Sequence, residues 1–99
     1  PFMLWRLDSR AKISPGARNI KKLPSQYIKE NIVITTSGQF APEPLLCSLI
    51  TLGADRILFA VDYPFESTEE GVRFIETAPI SDGDKEKICH SNAERLLNL

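Results

Sequence analysis

Two short apolar runs separated by an amphipathic stretch set the pattern of the chain. Ile32-Val33-Ile34-Thr35-Thr36 is β-branched throughout, and Ile57 to Val61 is apolar without a break. Both are too short for a helix and end in turn or charged residues, so they predict two strands, at about 32–36 and 57–61. Apolar residues on every position, rather than on alternate ones, suit parallel strands covered on both faces. Between the runs, Leu45, Leu46, Leu49, Ile50 and Leu52 form one broad apolar face. Pro42 and Pro44 suit the first turn of a helix and Gly53 its far end, which predicts a helix over about 42–52. Strand, helix and strand in this succession predict a right-handed βαβ unit.

The flanks read as helices joined by turns. Ser67-x-x-Glu70 matches a capping box and opens a helix through Val72, Phe74, Ile75 and Glu76, which Pro79 ends. Ser81-x-x-Asp84 opens another through Cys89, and Asn92 is expected to cap a last turn through Leu97. Upstream, Met3, Leu7 and Arg10 share a face of a helix predicted over 1–10. Residues 11–25 hold Pro15-Gly16 and Pro24-Ser25 and read as loop, with Ser25 capping a short helix that ends near Glu30-Asn31.

Composition narrows the class. The 99 residues carry a net charge of −1, with acidic and basic residues interspersed, so no basic surface for nucleic acid is expected. No apolar run approaches the roughly 18 residues of a membrane span. Cys47 and Cys89 lack Cys-x-x-Cys spacing and are expected to be reduced structural thiols of a cytoplasmic protein. The first residues, beginning at Pro1, are already aromatic and apolar, which is expected of a segment belonging to a longer chain.

Candidate chemistry centres on Asp62, the carboxylate that ends the second run just before Tyr63 and Pro64. The loop end of a buried parallel strand is where α/β barrels place their reactive groups. Thr35-Thr36-Ser37-Gly38 would bring hydroxyls and a permissive backbone to the same rim. Arg6, beside Trp5, is either a surface arginine pairing with Asp8 or a fork for a carboxylate. His90 has no second ligand near it, and Asp82-Gly83-Asp84 lacks the later ligands of a calcium loop.

Four segments together carry a resemblance. Trp5-Arg6-Leu7-Asp8-x-Arg10, Ile34-Thr35-Thr36-Ser37-Gly38, the block GADRILFAVDYPFE from Gly53 to Glu66, and NAERLL from Asn92 to Leu97 follow one order and spacing. They resemble the C-terminal part of the metal-dependent amidohydrolase superfamily, above all its non-oxidative hydroxybenzoate decarboxylases and their aminocarboxymuconate semialdehyde relatives. The resemblance implies an α/β fold, the C-terminal part of a (β/α)8 TIM barrel about two to three times this length. Residues 1–99 would then be an incomplete part of one domain, supplying two parallel strands and four or more helices. It further implies loss of carbon dioxide from a small hydroxylated aromatic carboxylic acid, assisted by one divalent metal ion, zinc or manganese. Asp62 matches a metal ligand of the family. Arg6 matches the arginine that reaches the substrate carboxylate from a neighbouring subunit, which implies a homo-oligomer. Ser9 departs from the pattern, since relatives carry histidine there. The remaining ligands and the catalytic histidine belong to upstream segments, so no catalytic residue is expected in this chain, which alone is expected to be inactive. A metal-dependent hydrolase on the same scaffold and a non-catalytic truncated product are the alternative readings.

Overall fold

The computed structural model describes residues 1–99, the side chains of residues 17 and 18 excepted. The chain divides into two units, Pro1–Ile32 and Val33–Leu99.

In the second unit, β1 (Ile34–Thr35) and β2 (Ile57–Leu58) pair in parallel, Ile34 opposite Ile57 and Thr35 opposite Leu58. The helix between them runs over Pro42–Leu52, with Pro42 in its first turn. Gly53 ends it at φ 84 and donates its N–H to the Leu49 carbonyl, a conformation that a side chain would strain. A single 3-10 turn, Ala54–Arg56, leads into β2. The predicted βαβ succession is therefore present, but the strands are shorter than the expected 32–36 and 57–61. Regular pairing stops at Thr36 because its carbonyl turns to the Gln39 N–H and leaves the ladder.

A helix over Thr68–Thr77 follows, capped by the Ser67 hydroxyl, which accepts from the Glu70 N–H as its capping sequence requires. Leu45, Ile57, Phe74, Ile75, Ala78 and Ile88 form the core, with Ile34, Phe40, Leu49, Phe59 and Ile80 packed against it. Gly71 brings the 68–77 helix close against Phe40 and Val61. A Cβ there would lie 3.1 Å from both Val61 Cγ2 and Phe40 Cζ. The expectation of strands buried on both faces holds within this unit for one face only. Ile57 is buried while its neighbour Leu58 is half-buried, and Thr35 beside Ile34 is exposed. Successive strand residues point to opposite sides, and the helix residues of this unit's core gather against the side that carries Ile34, Ile57 and Phe59.

The chain closes in one continuous helical run, Asp82–Glu86, a π turn Lys87–Ser91, and Asn92–Leu97. Ser81 caps it through the Asp84 N–H, as predicted. Asn92 is not a cap. Its backbone is helical at φ −67, ψ −40, and its side chain is buried. The π turn explains this placement. The Asn92 N–H reaches back five residues to Lys87, which leaves the Ile88 carbonyl free to accept from the Phe59 N–H at 2.8 Å. The Asn92 amide nitrogen then donates to the Ala54 carbonyl at 2.7 Å and the Ile57 carbonyl at 2.9 Å. Arg95 donates to the Asp55 carbonyl and to Asn92 Oδ1. The last helix thus supplies the hydrogen bonds that the entry to β2 would otherwise lack.

The first unit holds helices over Leu4–Ile13 and Pro24–Asn31, joined through a 3-10 segment, Pro15–Asn19. Two expectations change here. The first helix extends three residues into the span read as loop. Ser25 does not cap the second, whose N-cap is Leu23 with Pro24 just inside. Ser25 instead turns its hydroxyl and N–H to the Asp8 carboxylate, at 2.7 and 2.9 Å.

Candidate functional site

Asp62 lies four residues beyond the second strand, on the segment that continues it, and its backbone takes φ 80. For a residue with a Cβ this is a costly conformation, of order 1–3 kcal/mol, and it persists only where surrounding bonds impose it. Those bonds are present. The Asp62 carbonyl accepts from the Phe65 N–H at 2.8 Å and the Glu66 N–H at 3.2 Å, folding the chain back immediately after it. The Tyr63–Pro64 peptide within that turn is cis.

The end of the first strand meets it. The Thr36 N–H donates to the Leu58 carbonyl at 3.0 Å, the last regular bond of the pairing. One step on, the Thr36 hydroxyl accepts from the Ala60 N–H at 3.0 Å and donates to the Ala60 carbonyl at 2.9 Å. The Thr36 carbonyl closes a turn with the Gln39 N–H at 2.9 Å, with Gly38 at φ 68. Positive φ at that third position suits glycine. Gly38 lies against Asp62: a Cβ on it would be 3.5 Å from Asp62 Oδ2.

The Asp62 carboxylate is exposed, and among the described residues no hydrogen-bond donor reaches it. A hard anionic oxygen with free lone pairs, on a backbone fixed by its neighbours, suits a divalent cation as one ligand of several. Among the described residues no three His, Cys, Asp or Glu side chains gather into a metal cluster, so Asp62 fits such an ion only as one member of a larger set. Tyr63 and Phe65 follow it with their rings 80 and 84% exposed. A hollow of about 430 Å³ opens at the other end of the strands beside Arg56, Asn92 and Arg95. Asn92 and Arg95 are already committed to backbone carbonyls, and Asp62 is not among the lining residues.

Arg6 belongs to the first unit. It is exposed on the helix over Leu4–Ile13, next to Trp5, which is also exposed. The carboxylate that was its candidate partner, Asp8, is occupied by Ser25. The Ser25 hydroxyl, then its N–H, hold the Asp8 carboxyl below its ordinary value of 3.8. A lowered acid contributes stability above the ordinary carboxylate range and loses it as pH falls through the lowered value. Ser25→Ala is expected to move the Asp8 titration midpoint upward, followed by NMR across acid pH. An unmoved midpoint would exclude the hydroxyl as the cause.

His90 sits between Glu86 and Glu94 on one helix face, 3.8 and 3.3 Å from their carboxylates, an exposed pairing of modest worth. Both cysteines are free thiols. The sequence placed the Thr36 hydroxyl at this rim but not its bonds to Ala60, and it gave no sign of the buried role of the Asn92 amide. Asn92 carried no sign of its own, because a helix-entry asparagine reads equally as a cap.

A family model described as amidohydrolase matches residues 14–99. A γ-resorcylate decarboxylase of Polaromonas sp. is 37% identical over 102 residues, covering all of this chain and 31% of that protein. The crystal structure of 2,6-dihydroxybenzoate decarboxylase complexed with 2,6-dihydroxybenzoate superimposes with a TM-score of 0.92 at 38% identity, over the whole chain and 31% of the other. A dihydroxybenzoic acid decarboxylase from Polaromonas sp., with bound manganese and the inhibitor 2-nitroresorcinol, also matches at TM-score 0.92 and 38% identity, over 30% of its length. The chain thus spans about a third of the proteins it matches.

Proposed function

Because the chain belongs to the amidohydrolase family, we propose that it is part of a metal-dependent decarboxylase that removes carbon dioxide from a hydroxylated aromatic acid. The observation that carries this reading is the placement of Asp62: a free carboxylate held at φ 80 at the rim of the sheet, in a chain similar along its whole length to decarboxylases of such acids.

The overall change replaces the carbon–carboxylate bond by a carbon–hydrogen bond, with no oxidation or reduction. A bound divalent ion, manganese as in the relative crystallised with it, would supply positive charge to hold the oxygens of the acid and stabilise charge developing on the ring. Asp62 supplies one hard anionic oxygen for that ion, on a backbone that cannot easily swing away. Arg6 offers a planar guanidinium suited to a carboxylate, and its own acidic neighbour is engaged elsewhere. We take it to serve the site of a neighbouring copy in a homo-oligomer. The exposed rings of Tyr63 and Phe65 offer aromatic faces next to Asp62 for an aromatic substrate. The proton delivered to the ring carbon is assigned to a residue of the longer polypeptide. Free thiols at Cys47 and Cys89 favour a cytoplasmic setting.

The test uses the full-length polypeptide loaded with manganese and offered a 2,6-dihydroxybenzoate. Release of carbon dioxide with loss of the carboxylate is expected. Hydrolysis of a lactone or amide, with no carbon dioxide from any hydroxybenzoate, would overturn the assignment and favour a hydrolase on the same scaffold.

A further inference from the structure

We propose that Thr36 is a positioning residue for Asp62, its hydroxyl standing in for a backbone carbonyl so that the rim can turn. This rests on the metal role given to Asp62 above. In the register Ile34–Ile57 and Thr35–Leu58, Thr36 falls opposite Phe59. A parallel ladder would continue with the Ala60 N–H donating to the Thr36 carbonyl. The observed bond goes to the Thr36 hydroxyl instead, at 3.0 Å, and the same hydroxyl returns a bond to the Ala60 carbonyl at 2.9 Å.

That substitution has two consequences two residues before Asp62. Ala60 keeps both its backbone groups satisfied although the strand beside it has departed. The Thr36 carbonyl is released to the Gln39 N–H, which closes the turn that brings Gly38 to φ 68. Gly38 then donates its N–H to the Val61 carbonyl at 3.4 Å, which sets it beside Asp62, with Oδ2 in ordinary contact range (3.5 Å) of where a Cβ would stand. Thr36 is only 5% exposed, so water does not readily replace its hydroxyl. The strand that carries Asp62 is therefore clamped at Ala60 and Val61, and the positive φ of Asp62 is imposed from Thr36 on one side and from the Phe65 and Glu66 amides on the other. Valine has the shape of threonine without the hydrogen bonds.

The experiment compares Thr36→Val and Thr36→Ser in the full-length protein by crystal structure, manganese affinity and thermal unfolding. Thr36→Val is expected to release Asp62 from positive φ and to weaken manganese binding about tenfold or more, the scale seen when a group supporting a metal ligand is lost. Thr36→Ser keeps the hydroxyl and is expected to leave both unchanged. If Thr36→Val does not fold, Thr36→Ala is read the same way. Asp62 remaining at positive φ in the hydroxyl-free variant, with only the unfolding temperature lowered, reduces Thr36 to a structural residue and overturns the proposal. Displacement of Asp62 in Thr36→Ser overturns it equally. Should the parent protein bind no manganese, the metal reading fails, and the Asp62 backbone in these variants still decides the positioning role.

Discussion

Removing the Asp62 carboxylate from the full-length protein is expected to lower manganese affinity at least about a hundredfold, because loss of a direct ligand costs no less than loss of the groups that support one. Decarboxylation should fall with it. The backbone separates this loss from misfolding. Asp62 holds φ 80, where any residue with a Cβ is disfavoured and glycine is not. Asp62→Gly is therefore expected to be the more stable of two ligand-deleted variants, by about 1 kcal/mol over Asp62→Ala. Both are expected to lose metal alike. Metal analysis after dialysis and denaturant midpoints of the metal-free proteins measure the two effects independently. Undiminished metal content in Asp62→Gly would remove Asp62 from the site. A gain in stability accompanied by loss of metal is the pattern of a strained residue kept for its chemistry.

The second large effect is expected at Asn92, far from that chemistry. Its side chain is 1% exposed, and its amide nitrogen serves two backbone carbonyls, those of Ala54 and Ile57. Asn92→Ala leaves both acceptors without a donor and is expected to cost about 2–4 kcal/mol of stability, since each buried group left unpaired costs about 1–3 kcal/mol. Asn92→Asp preserves size but places a carboxylate against two carbonyl oxygens, so it is expected to cost more than Asn92→Ala at neutral pH. Burial against the two carbonyl oxygens raises its folded-state pKa more than the one bond from Arg95, whose side chain is 60% exposed, lowers it. Stability of this variant is therefore greatest in acid and declines as pH rises from the ordinary carboxylate range through the raised value. Urea unfolding across that range reads the slope. A pH-independent penalty would mean that the side chain has turned out of the core.

Both residues mark how far local pattern reaches. The order of elements in the second unit was legible because its causes are local. β-branched runs favour strands, leucines at helical spacing favour a helix, and Ser67 and Ser81 act on N–H groups three residues away. The apolar run ending at Asp62 was legible too, but the paired strand stops at Leu58 and Asp62 lies four residues beyond it. Ser25 was misread because Asp8, 17 residues earlier, competes for its hydroxyl more effectively than its own helix does. Asn92 was misread in the same way, since its partners lie 35 and 38 residues upstream.

From the sequence alone came the succession of strands and helices, the candidate carboxylate and the likeness to a barrel family. Tertiary structure alone decided where pairing stops, how the closing helix grips the second strand through a π turn, and which backbone conformation presents Asp62. The division has one physical reason. Periodicity and capping are written over three or four residues, whereas the Thr36 hydroxyl meets Ala60 across 24 positions, and only the folded chain brings such groups within a hydrogen bond of each other.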